Sequence, residues 1–292
     1  MKCLITGSHG FVGTHLEQYL IEQGHEVIGY NLSDGHDIRD YETLRNFLDH
    51  NRPDYIYHLA AQAYVAESFQ NPKRAFEVNT IGSMNLLEAV RQLGLKTKIL
   101  LAGTSEEYGD AEPLEDGVLN PLSPYAISKL AMDKLGLLYA KSYGMNIVIT
   151  RAFNHTGPGR GEMYAESSWA KQIVEIENGK RELLEHGNLE TIRNYTDVRD
   201  VVRAYTLAID LPSDVYNICS DQNVTMRTVL TILESRAKIY IHNKVNQSLF
   251  RPSDFSFKEP SCEKFYSITG WIPTYRLETT LFDLLEYWRY RL

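Results

Sequence analysis

The chain has 292 residues, of which 43% are hydrophobic and 23% are charged, so its composition is that of a globular protein and excludes a disordered or fibrous one. Its formal net charge is −8 and no run of lysine and arginine exceeds two residues, which argues against nucleic acid as a partner. The three cysteines lie far apart and fit neither a disulfide framework nor a metal site. Because the sequence has no signal-peptide pattern and no apolar run near the ~20 residues of a membrane span, we expect a cytoplasmic protein without a membrane partner.

The first half of the sequence alternates short apolar segments with segments of helical periodicity. Strands are predicted at residues 2–6, 25–30, 55–59, 98–102 and 146–150, and helices at residues 11–23, 41–51, 72–93 and 123–143. Ser123 is the expected N-cap of the last of these helices, and Pro124 suits its first position. Strands that alternate with helices of this length pair in parallel, with helices on both faces of the sheet.

Three glycines follow the first predicted strand and open the first helix, in the order Gly7, Gly10 and Gly13. Gly7 permits a tight turn, Gly10 lets the main chain approach a pyrophosphate, and Gly13 lets the helix pack closely on the strand. The N–H groups at the start of the helix then point at the phosphates. This segment predicts a dinucleotide site formed by the three glycines together with Phe11 and Val12.

Beyond residue 151 the alternation of strands and helices weakens. Residues 154–161 are rich in glycine and proline, as an active-site loop would be. A short strand is predicted at residues 215–218, and helices at residues 164–178, 225–238 and 277–291. We predict an α/β fold: a Rossmann-type, doubly wound parallel sheet with a smaller C-terminal substrate lobe. The dinucleotide-binding domain would comprise residues 1–153 with parts of 195–220, and the substrate lobe mainly residues 154–292.

The residues that follow the second predicted strand usually distinguish NAD from NADP. An acidic side chain there binds the ribose 2′-hydroxyl of NAD, and an arginine accommodates the 2′-phosphate of NADP. This sequence has Asn31 and Ser33 instead, and both side chains can hydrogen-bond to either group. Asp37 and Ile38 are candidates to flank the adenine. The cofactor is therefore predicted as NAD or NADP, with the choice open.

Tyr125 and Lys129 lie four residues apart on a predicted helix, and hence on one face. An ammonium group beside a phenol favours the phenolate and brings this weak acid closer to useful proton transfer. Thr104 follows the fourth predicted strand on the ligand side of the sheet, where its hydroxyl can bond to a substrate oxygen. In an extended chain the adjacent Glu106 and Glu107 point in opposite directions, so only one faces the site and the other is expected to be a solvated loop charge.

Together these segments resemble the extended short-chain dehydrogenase/reductase family, and specifically its nucleotide-sugar branch. The resemblance covers essentially the whole chain and depends on the order and spacing of its motifs: residues 7–13, residues 58–62, Asn79, Thr104, the Tyr125/Lys129 pair and residues 151–154. The family implies that the position of Thr104 polarises the sugar oxygen, that of Tyr125 moves the proton, and that of Lys129 holds the nicotinamide ribose. It implies further cofactor contacts from Leu59, Ala60, Ala61 and Asn79.

Two groups within this branch match the sequence. Residues 103–106, 153–155 and 160–162 look like GDP-mannose 4,6-dehydratases, in which the position of Glu106 is the base that removes the C5 proton during loss of water. The relatively short chain and residues 106–109, 154–158 and 195–200 look more like GDP-4-keto-6-deoxymannose reductases, which make GDP-rhamnose. The reductase resemblance is the favoured one.

The favoured hypothesis is NAD(P)H-dependent reduction of the 4-keto group of a nucleoside-diphosphate-4-keto-6-deoxyhexose, with Tyr125 as proton donor. A dehydratase would use the same residues in an internal redox cycle that leaves the cofactor unchanged, and an epimerase is a further alternative. A non-catalytic dinucleotide sensor is a remote alternative, because such a protein has no need of Tyr125, Lys129 and Thr104 together.

Candidate substrate contacts complete the prediction. In both groups the segment around Arg251 lies beside the nucleotide end of the substrate, so Arg193 and Arg251 are expected to clamp the diphosphate of a GDP-linked sugar. Ser68 and Asn154 are further candidates. The family also implies a homodimer, formed through the helices at residues 72–93 and 123–143.

Overall fold

The computed structural model describes residues 1–250 and 257–292. In chain order, the strands are β1 (Lys2–Thr6), β2 (Glu26–Tyr30), β3 (Tyr55–His58), β4 (Lys98–Ala102), β5 (Asn146–Ala152), β6 (Asn154–Thr156), β7 (Leu184–His186), β8 (Ile192–Asp197), β9 (Val215–Ile218), β10 (Asn223–Thr225) and β11 (Asn243–Val245). The helices are α1 (Phe11–Glu22), α2 (Tyr41–Asn51), α3 (Val65–Gln70), α4 (Pro72–Phe76), α5 (Ser83–Gln92), α6 (Pro124–Tyr143), α7 (Ala165–Glu177), α8 (Val198–Ala208), α9 (Met226–Ser235), α10 (Glu263–Thr269) and α11 (Leu277–Arg291).

The main sheet has six parallel strands in the order β2–β1–β3–β4–β5–β9. The chain passes from β1 to β2 on one side and then returns to place β3 on the other side of β1. At such a reversal the connections leave a crevice at the carboxyl ends of the strands, and open α/β sheets bind their ligands there. The predicted doubly wound parallel sheet is confirmed.

Both faces of this sheet are buried, because alternate residues of each strand point to opposite sides. Cys3 and Ile5 pack on the side that carries α1 and α8, whereas Leu4 and Ile56 pack on the side that carries α2 and α5. Burial on two sides explains why the strands read as unbroken apolar runs in the sequence.

The later part of the chain has a second apolar core. It lies among α7, α9 and α11, and a three-stranded sheet of order β10–β8–β6 connects this region to the main sheet. Phe265 and Trp271, which lie late in the sequence, pack instead with the core beside α1 and α8. The division at residue 153 stays a prediction. No helix within residues 1–250 and 257–292 is long and apolar enough to cross a membrane.

The predicted single helix at residues 72–93 is wrong in one respect. Between α4 and α5 the chain forms a π-helical segment, Glu77–Gly82, in which the turns are wider than in an α-helix. This segment turns Asn79 toward the loop after β3, where its side chain accepts a hydrogen bond from Gln62 N–H at 2.8 Å. Such π segments are frequent at functional sites.

Candidate active site

The glycine turn between β1 and α1 is tightly packed against the loop that follows β3. Gly7 has a φ of +77°, and a Cβ on it would lie 3.0 Å from Ala60 N. A Cβ on Gly13 would lie 2.2 Å from Gly7 O, so the start of α1 approaches β1 more closely than any side chain allows. Gly10 is the N-cap of α1, and no side chain in the described part of the chain caps this end. The first N–H groups of α1, at Phe11 and Val12, are thus available to a pyrophosphate, and residues 59–61 lie directly alongside.

Asn31 stabilises this turn from the end of β2. Its side chain accepts a hydrogen bond from His9 N–H at 3.0 Å and donates to Ser8 Oγ at 2.8 Å and to Asp34 Oδ2 at 3.1 Å. Ser33 is exposed, and its hydroxyl forms a hydrogen bond with the His9 ring at 2.9 Å. The short 3₁₀ turn Leu32–Asp34 therefore brings the acidic side chain of Asp34 to the end of β2, although Asp34 is not among the predicted cofactor contacts.

The other predicted adenine-side residues are held by neighbouring groups. Asp37 is paired with Arg39 at 2.6 Å, and this hydrogen-bonded guanidinium lowers the pKa of Asp37. Ile38 is buried against Gly82 of the π-helical segment. Asn79 is fully buried, and its amide also donates to Ser128 Oγ at 2.9 Å, so its side chain fixes the loop after β3 to α6.

Tyr125, Lys129 and Thr104 meet at the carboxyl end of β4. As predicted, Ser123 caps α6 by accepting a hydrogen bond from Ala126 N–H at 3.1 Å, with Pro124 in the first turn. Burial raises the pKa of Tyr125, and the nearby Thr104 side chain acts in the opposite direction. Lys129 Nζ donates to Ala102 O at 2.8 Å. Burial lowers the pKa of Lys129 to about 8, whereas the nearby carboxylates act in the opposite direction.

Ser68 lies beneath the first turn of α6 and bonds to its main chain. Its side chain is fully buried, its hydroxyl donates to Val65 O at 2.6 Å, and its oxygen accepts a hydrogen bond from Tyr125 N–H at 3.1 Å. Both hydrogen-bonding roles of the hydroxyl are therefore used inside the protein. Ser68 thus holds the first turn of α6, and with it Tyr125, while its predicted substrate contact stays a prediction.

Glu106 and Glu107 lie in a 3₁₀ turn, not in the extended chain that the sequence analysis assumes. Thr104 caps this turn by accepting a hydrogen bond from Glu106 N–H at 3.3 Å, and Thr104 N–H donates to Glu107 Oε1 at 2.9 Å. Glu107 is fully buried, with Arg151 Nε 3.1 Å from its carboxylate, so it is not the solvated loop charge that was expected. Glu106 is partly exposed and faces a cleft.

This cleft has about 570 Å³ of empty space, part of it open to solvent. Three of the predicted side chains line it together: Glu106, Asn154 of β6 and Arg193 of β8. Phe257 and Lys258 also line it, and no pattern in the sequence singles them out. Arg251 lies outside the described residues. The cleft thus combines a carboxylate with cationic and amide groups, which suits a polar and anionic ligand.

β6 and the segment after it pack against the start of α1, next to the glycine turn. The Phe11 ring is stacked on the His155 ring with centroids 6.1 Å apart, and the Arg160 guanidinium lies over the same Phe11 ring at 5.0 Å. Farther along α1, His15 Nε2 forms a hydrogen bond with Pro158 O at 2.7 Å. Burial lowers the pKa of His155 to about 4, so this ring packs as a neutral group. Sequence reasoning does not find these contacts, since they join residues about 150 positions apart.

Comparison with known proteins identifies the family. Residues 31–284 match the model of a family described as GDP-mannose 4,6 dehydratase. The chain belongs to this family. It is 30% identical to GDP-6-deoxy-D-mannose reductase of Pseudomonas aeruginosa over 99% of this chain and 98% of that protein. It is also 32% identical to GDP-mannose 4,6-dehydratase of Yersinia enterocolitica over 82% of this chain and 73% of that protein.

Solved structures agree with this assignment. The Pseudomonas aeruginosa protein RMD in complex with NADPH superposes with a TM-score of 0.91 and 29% identity, over 100% of this chain and 99% of that chain. UDP-glucose 4-epimerase of Thermus thermophilus in complex with NAD superposes with a TM-score of 0.89 and 29% identity over the full length of both chains. The resemblance to the nucleotide-sugar branch of the extended short-chain dehydrogenases/reductases is confirmed.

Proposed function

We propose that the protein is a reductase that converts the 4-keto group of a GDP-linked 4-keto-6-deoxyhexose to an alcohol, as in the synthesis of GDP-rhamnose. The observation that carries this proposal is the match to a GDP-6-deoxy-D-mannose reductase over nearly the whole of both chains. The Yersinia enterocolitica dehydratase, by contrast, extends beyond the matched region, which covers 73% of its length.

The glycine turn, the uncapped start of α1 and residues 59–61 fit a nicotinamide dinucleotide. When bound in its reduced form, this cofactor supplies the hydride that reduces a ketone. NADPH and NAD both occur in the structures of relatives, and the Asn31, Ser33 and Asp34 cluster carries hydroxyl, amide and carboxylate groups. The relative rates of turnover with NADH and with NADPH decide which cofactor is preferred.

The protein's own residues then handle the proton. Tyr125 donates a proton to the alkoxide oxygen that forms at C4, and Thr104 hydrogen-bonds to the same oxygen. Lys129 lies one turn farther along α6 on the same face, and its positive charge would favour the phenolate form of Tyr125. Ser68 and Ser123 hold the first turn of α6, so the tyrosine hydroxyl is fixed before the substrate binds.

The other residues that the sequence predicts as substrate contacts keep that role in this proposal. Arg193 and Arg251 would bind the diphosphate, because a planar guanidinium pairs with two phosphate oxygens at once. Asn154 would hydrogen-bond to the hexose. The same cleft contains Lys258, whose Nζ lies 2.7 Å from Glu112 Oε1. Its ammonium group adds a second positive charge to that of Arg193.

A GDP-mannose 4,6-dehydratase is the second candidate function. The family model and the position of Glu106 in the cleft favour it, since this reaction needs a carboxylate base to remove a proton from C5. Such an enzyme would return the cofactor to its starting state in each turnover.

One experiment separates the two functions. The purified protein is incubated with GDP-mannose alone and, separately, with GDP-4-keto-6-deoxymannose plus NADH or NADPH, while products and reduced-nicotinamide absorbance are followed. Stoichiometric consumption of cofactor with the keto sugar is expected, and the faster cofactor is the preferred one. Formation of a keto sugar from GDP-mannose without net consumption would identify the dehydratase. Glu106→Gln is the matched variant: it abolishes dehydration but spares reduction.

We also propose that the protein is a cytoplasmic homodimer. The helices α3 to α6 present exposed apolar side chains on the outside of the main sheet, among them Phe69, Ile81, Ile127 and Leu138. A soluble protein that exposes several such side chains on adjacent helices usually covers them with a partner.

A further inference from the structure

Arg151, Glu107 and Asp133 form a buried group of charges near Tyr125. None of the three has a role in the reaction as proposed above. Arg151 Nε donates to Glu107 Oε2 at 3.1 Å and to Asp133 Oδ2 at 3.0 Å. All three side chains are at most 1% exposed. One guanidinium therefore faces two carboxyl groups in a site without solvent, where an uncompensated charge costs several kcal/mol.

The two carboxyl groups are also close to each other. A Cβ on Gly103 would lie 2.9 Å from Glu107 Oε1 and 3.0 Å from Asp133 Oδ1, so both oxygens face the same small gap. Asp133 Oδ1 is buried and finds no donor among the N–H and O–H groups of the described residues, unless the neighbouring carboxyl carries a proton. Two carboxylates in such contact do not both ionise readily, and one of them keeps its proton.

We propose that Glu107 and Asp133 share one proton and act as positioning residues for Thr104 and Lys129. The shared proton gives Asp133 Oδ1 its missing donor. It also leaves Glu107 Oε1 free to accept the hydrogen bond from Thr104 N–H at 2.9 Å. In agreement, burial and the adjacent Asp133 raise the pKa of Glu107 well above its ordinary value.

The consequence for catalysis lies in the balance of charges. Tyr125, Lys129 and Asp133 are spaced by four residues along α6 and lie on one face. With one proton on the carboxyl pair, Arg151 and Lys129 face a single negative charge, so one positive charge remains uncompensated beside Tyr125. This charge favours the phenolate and the developing alkoxide, whereas two ionised carboxylates would cancel it.

Other titratable groups surround this cluster. The Tyr108 hydroxyl accepts a hydrogen bond from Arg151 at 3.2 Å. Burial, and to a smaller degree the charge of Lys129, lowers the pKa of His58 to about 3, so this ring is neutral. Glu115 approaches from its loop, and its main-chain oxygen accepts from Arg151 at 3.4 Å. The Tyr108 hydroxyl donates its own proton to Asn217 Oδ1 at 2.7 Å and so does not supply one to the carboxyl pair.

The test replaces each carboxyl by its amide in the cofactor-free protein. Glu107→Gln and Asp133→Asn each remove the shared proton but leave one carboxylate, so the pKa of Lys129 should not change in either single variant. The double variant removes the last negative charge, and the pKa of Lys129 should fall by about one unit. The pKa is followed by NMR titration of isotope-labelled lysine Cε, with Lys129→Arg to assign the signal.

Infrared spectroscopy provides a second readout. The wild type should show the carbonyl stretch of a buried carboxylic acid at neutral pH, and both single variants should lack it. Asp200→Asn is the control, since Asp200 is equally buried but bonds to Thr274 and Tyr275, and it should leave this band and the Lys129 titration intact. A wild type without the acid band, or a single variant that shifts Lys129, overturns the proposal.

The role of Glu107 and Asp133 in turnover rests on the proposed function. The NMR and infrared measurements use no substrate, so they do not depend on it. If the protein reduces the keto sugar, the double variant should lose about tenfold in kcat, and the alkaline limb of its pH profile should move to lower pH by about one unit. If the protein fails to reduce it, the proton on the carboxyl pair is still decided by the two spectroscopic results.

Discussion

Tyr125 and Lys129 are both buried at the end of β4, and burial disfavours the charged form of each side chain. Burial therefore raises the pKa of Tyr125, which holds its proton more tightly, and lowers that of Lys129 to about 8, which releases its proton more readily. The lysine therefore keeps its charge at neutral pH but holds it less firmly than an exposed one. The tyrosine begins as a neutral phenol, which is the state that a proton donor needs.

Changing Tyr125 to Phe removes the proton donor but keeps the ring that fills the start of α6. We expect kcat to fall by about 10²–10⁴-fold, which is the usual contribution of a positioned acid or base. Cofactor affinity should change little, because the variant leaves the N–H groups at the start of α1 untouched. Stopped-flow absorbance and quenching of protein fluorescence by the dinucleotide measure the two effects. Turnover at the wild-type rate would remove Tyr125 from its assigned role.

Motif and spacing in the sequence predict Thr104, Tyr125 and Lys129 as one catalytic group, and in the structure the three residues lie together at the end of β4. The sequence does not identify Glu107 and Asp133, and treats Glu107 as a surface charge. A signal is nevertheless present: Arg151 interrupts the apolar run of β5, and a charge in a doubly buried strand needs a buried partner. Which carboxylate supplies that partner depends on the packing of α6 and the 3₁₀ turn, and neither contact has a sequence pattern.

His58 joins three elements. Its ring forms hydrogen bonds at 2.8 Å with Thr6 Oγ1 at the end of β1 and with Ser83 Oγ at the start of α5. Burial lowers its pKa to about 3, whereas histidine in an unfolded chain titrates near 6.5. The folded protein therefore binds this proton less readily than the unfolded chain. The contribution of neutral His58 to the unfolding free energy is therefore fully present above pH 6.5 and is lost as the pH falls toward 3.

Replacing His58 by Gln should accordingly flatten the acid side of the stability curve. Between pH 6.5 and pH 4, the wild type should lose about 3 kcal/mol of unfolding free energy that the variant does not lose. Urea denaturation at a series of pH values measures the difference. His50→Gln on the exposed face of α2 is the control and should follow the wild type. Parallel curves for wild type and His58→Gln would contradict the assignment.

The glycine turn is a second contact between elements. Changing Gly13 to Ala places a Cβ 2.2 Å from Gly7 O and 2.7 Å from Ser8 Cα, so α1 must move away from β1. We expect at least about a tenfold loss of dinucleotide affinity, measured by calorimetry, as the phosphate-binding N–H groups are displaced. Gly144→Ala is the control, because its Cβ meets nothing within 4 Å. Despite the strain of its φ of +65°, that variant should bind the cofactor normally.

The elements themselves were largely predictable, and the exceptions have physical causes. Periodicity finds α6 and β9 because their apolar patterns are long or unbroken. It does not reveal the π-helical segment Glu77–Gly82, whose wide turn is set by the hydrogen bonds of Asn79 across the molecule. Nor does it find β6 within the predicted loop, since a three-residue strand is defined by its pairing with β8.

On the scale of the whole molecule, the site lies where the main sheet, the cleft lined by β6 and β8, and the segment after β6 come together. The sequence predicts the sheet well, because its rhythm is local. It does not predict β8 and α8, although Val198, Val201 and Val202 of α8 are all buried. Their partners lie on α1 and β5, far away in sequence, so no short window contains the pattern that defines them.

The homodimer is the prediction that belongs to this scale. Leu138 is exposed on α6, the helix that also carries the exposed Ile127 and packs against α3 and the π-helical segment. A charge at the centre of an apolar interface lacks a partner and costs several kcal/mol on association. We therefore expect the wild type to sediment at twice the chain mass of 33.5 kDa and Leu138→Glu to sediment as a monomer at micromolar concentration.

Leu207→Glu is the matched control, since Leu207 is an exposed leucine on α8, on the other face of the sheet. It should leave the dimer intact and so show that the added charge alone does not dissociate the protein. Circular dichroism of both variants establishes that the monomer is folded. If Leu138→Glu sediments with the wild type, the exposed apolar face of α3 to α6 is not the dimer interface. Because Tyr125 lies in the first turn of the same helix, a folded monomer also shows whether turnover depends on association.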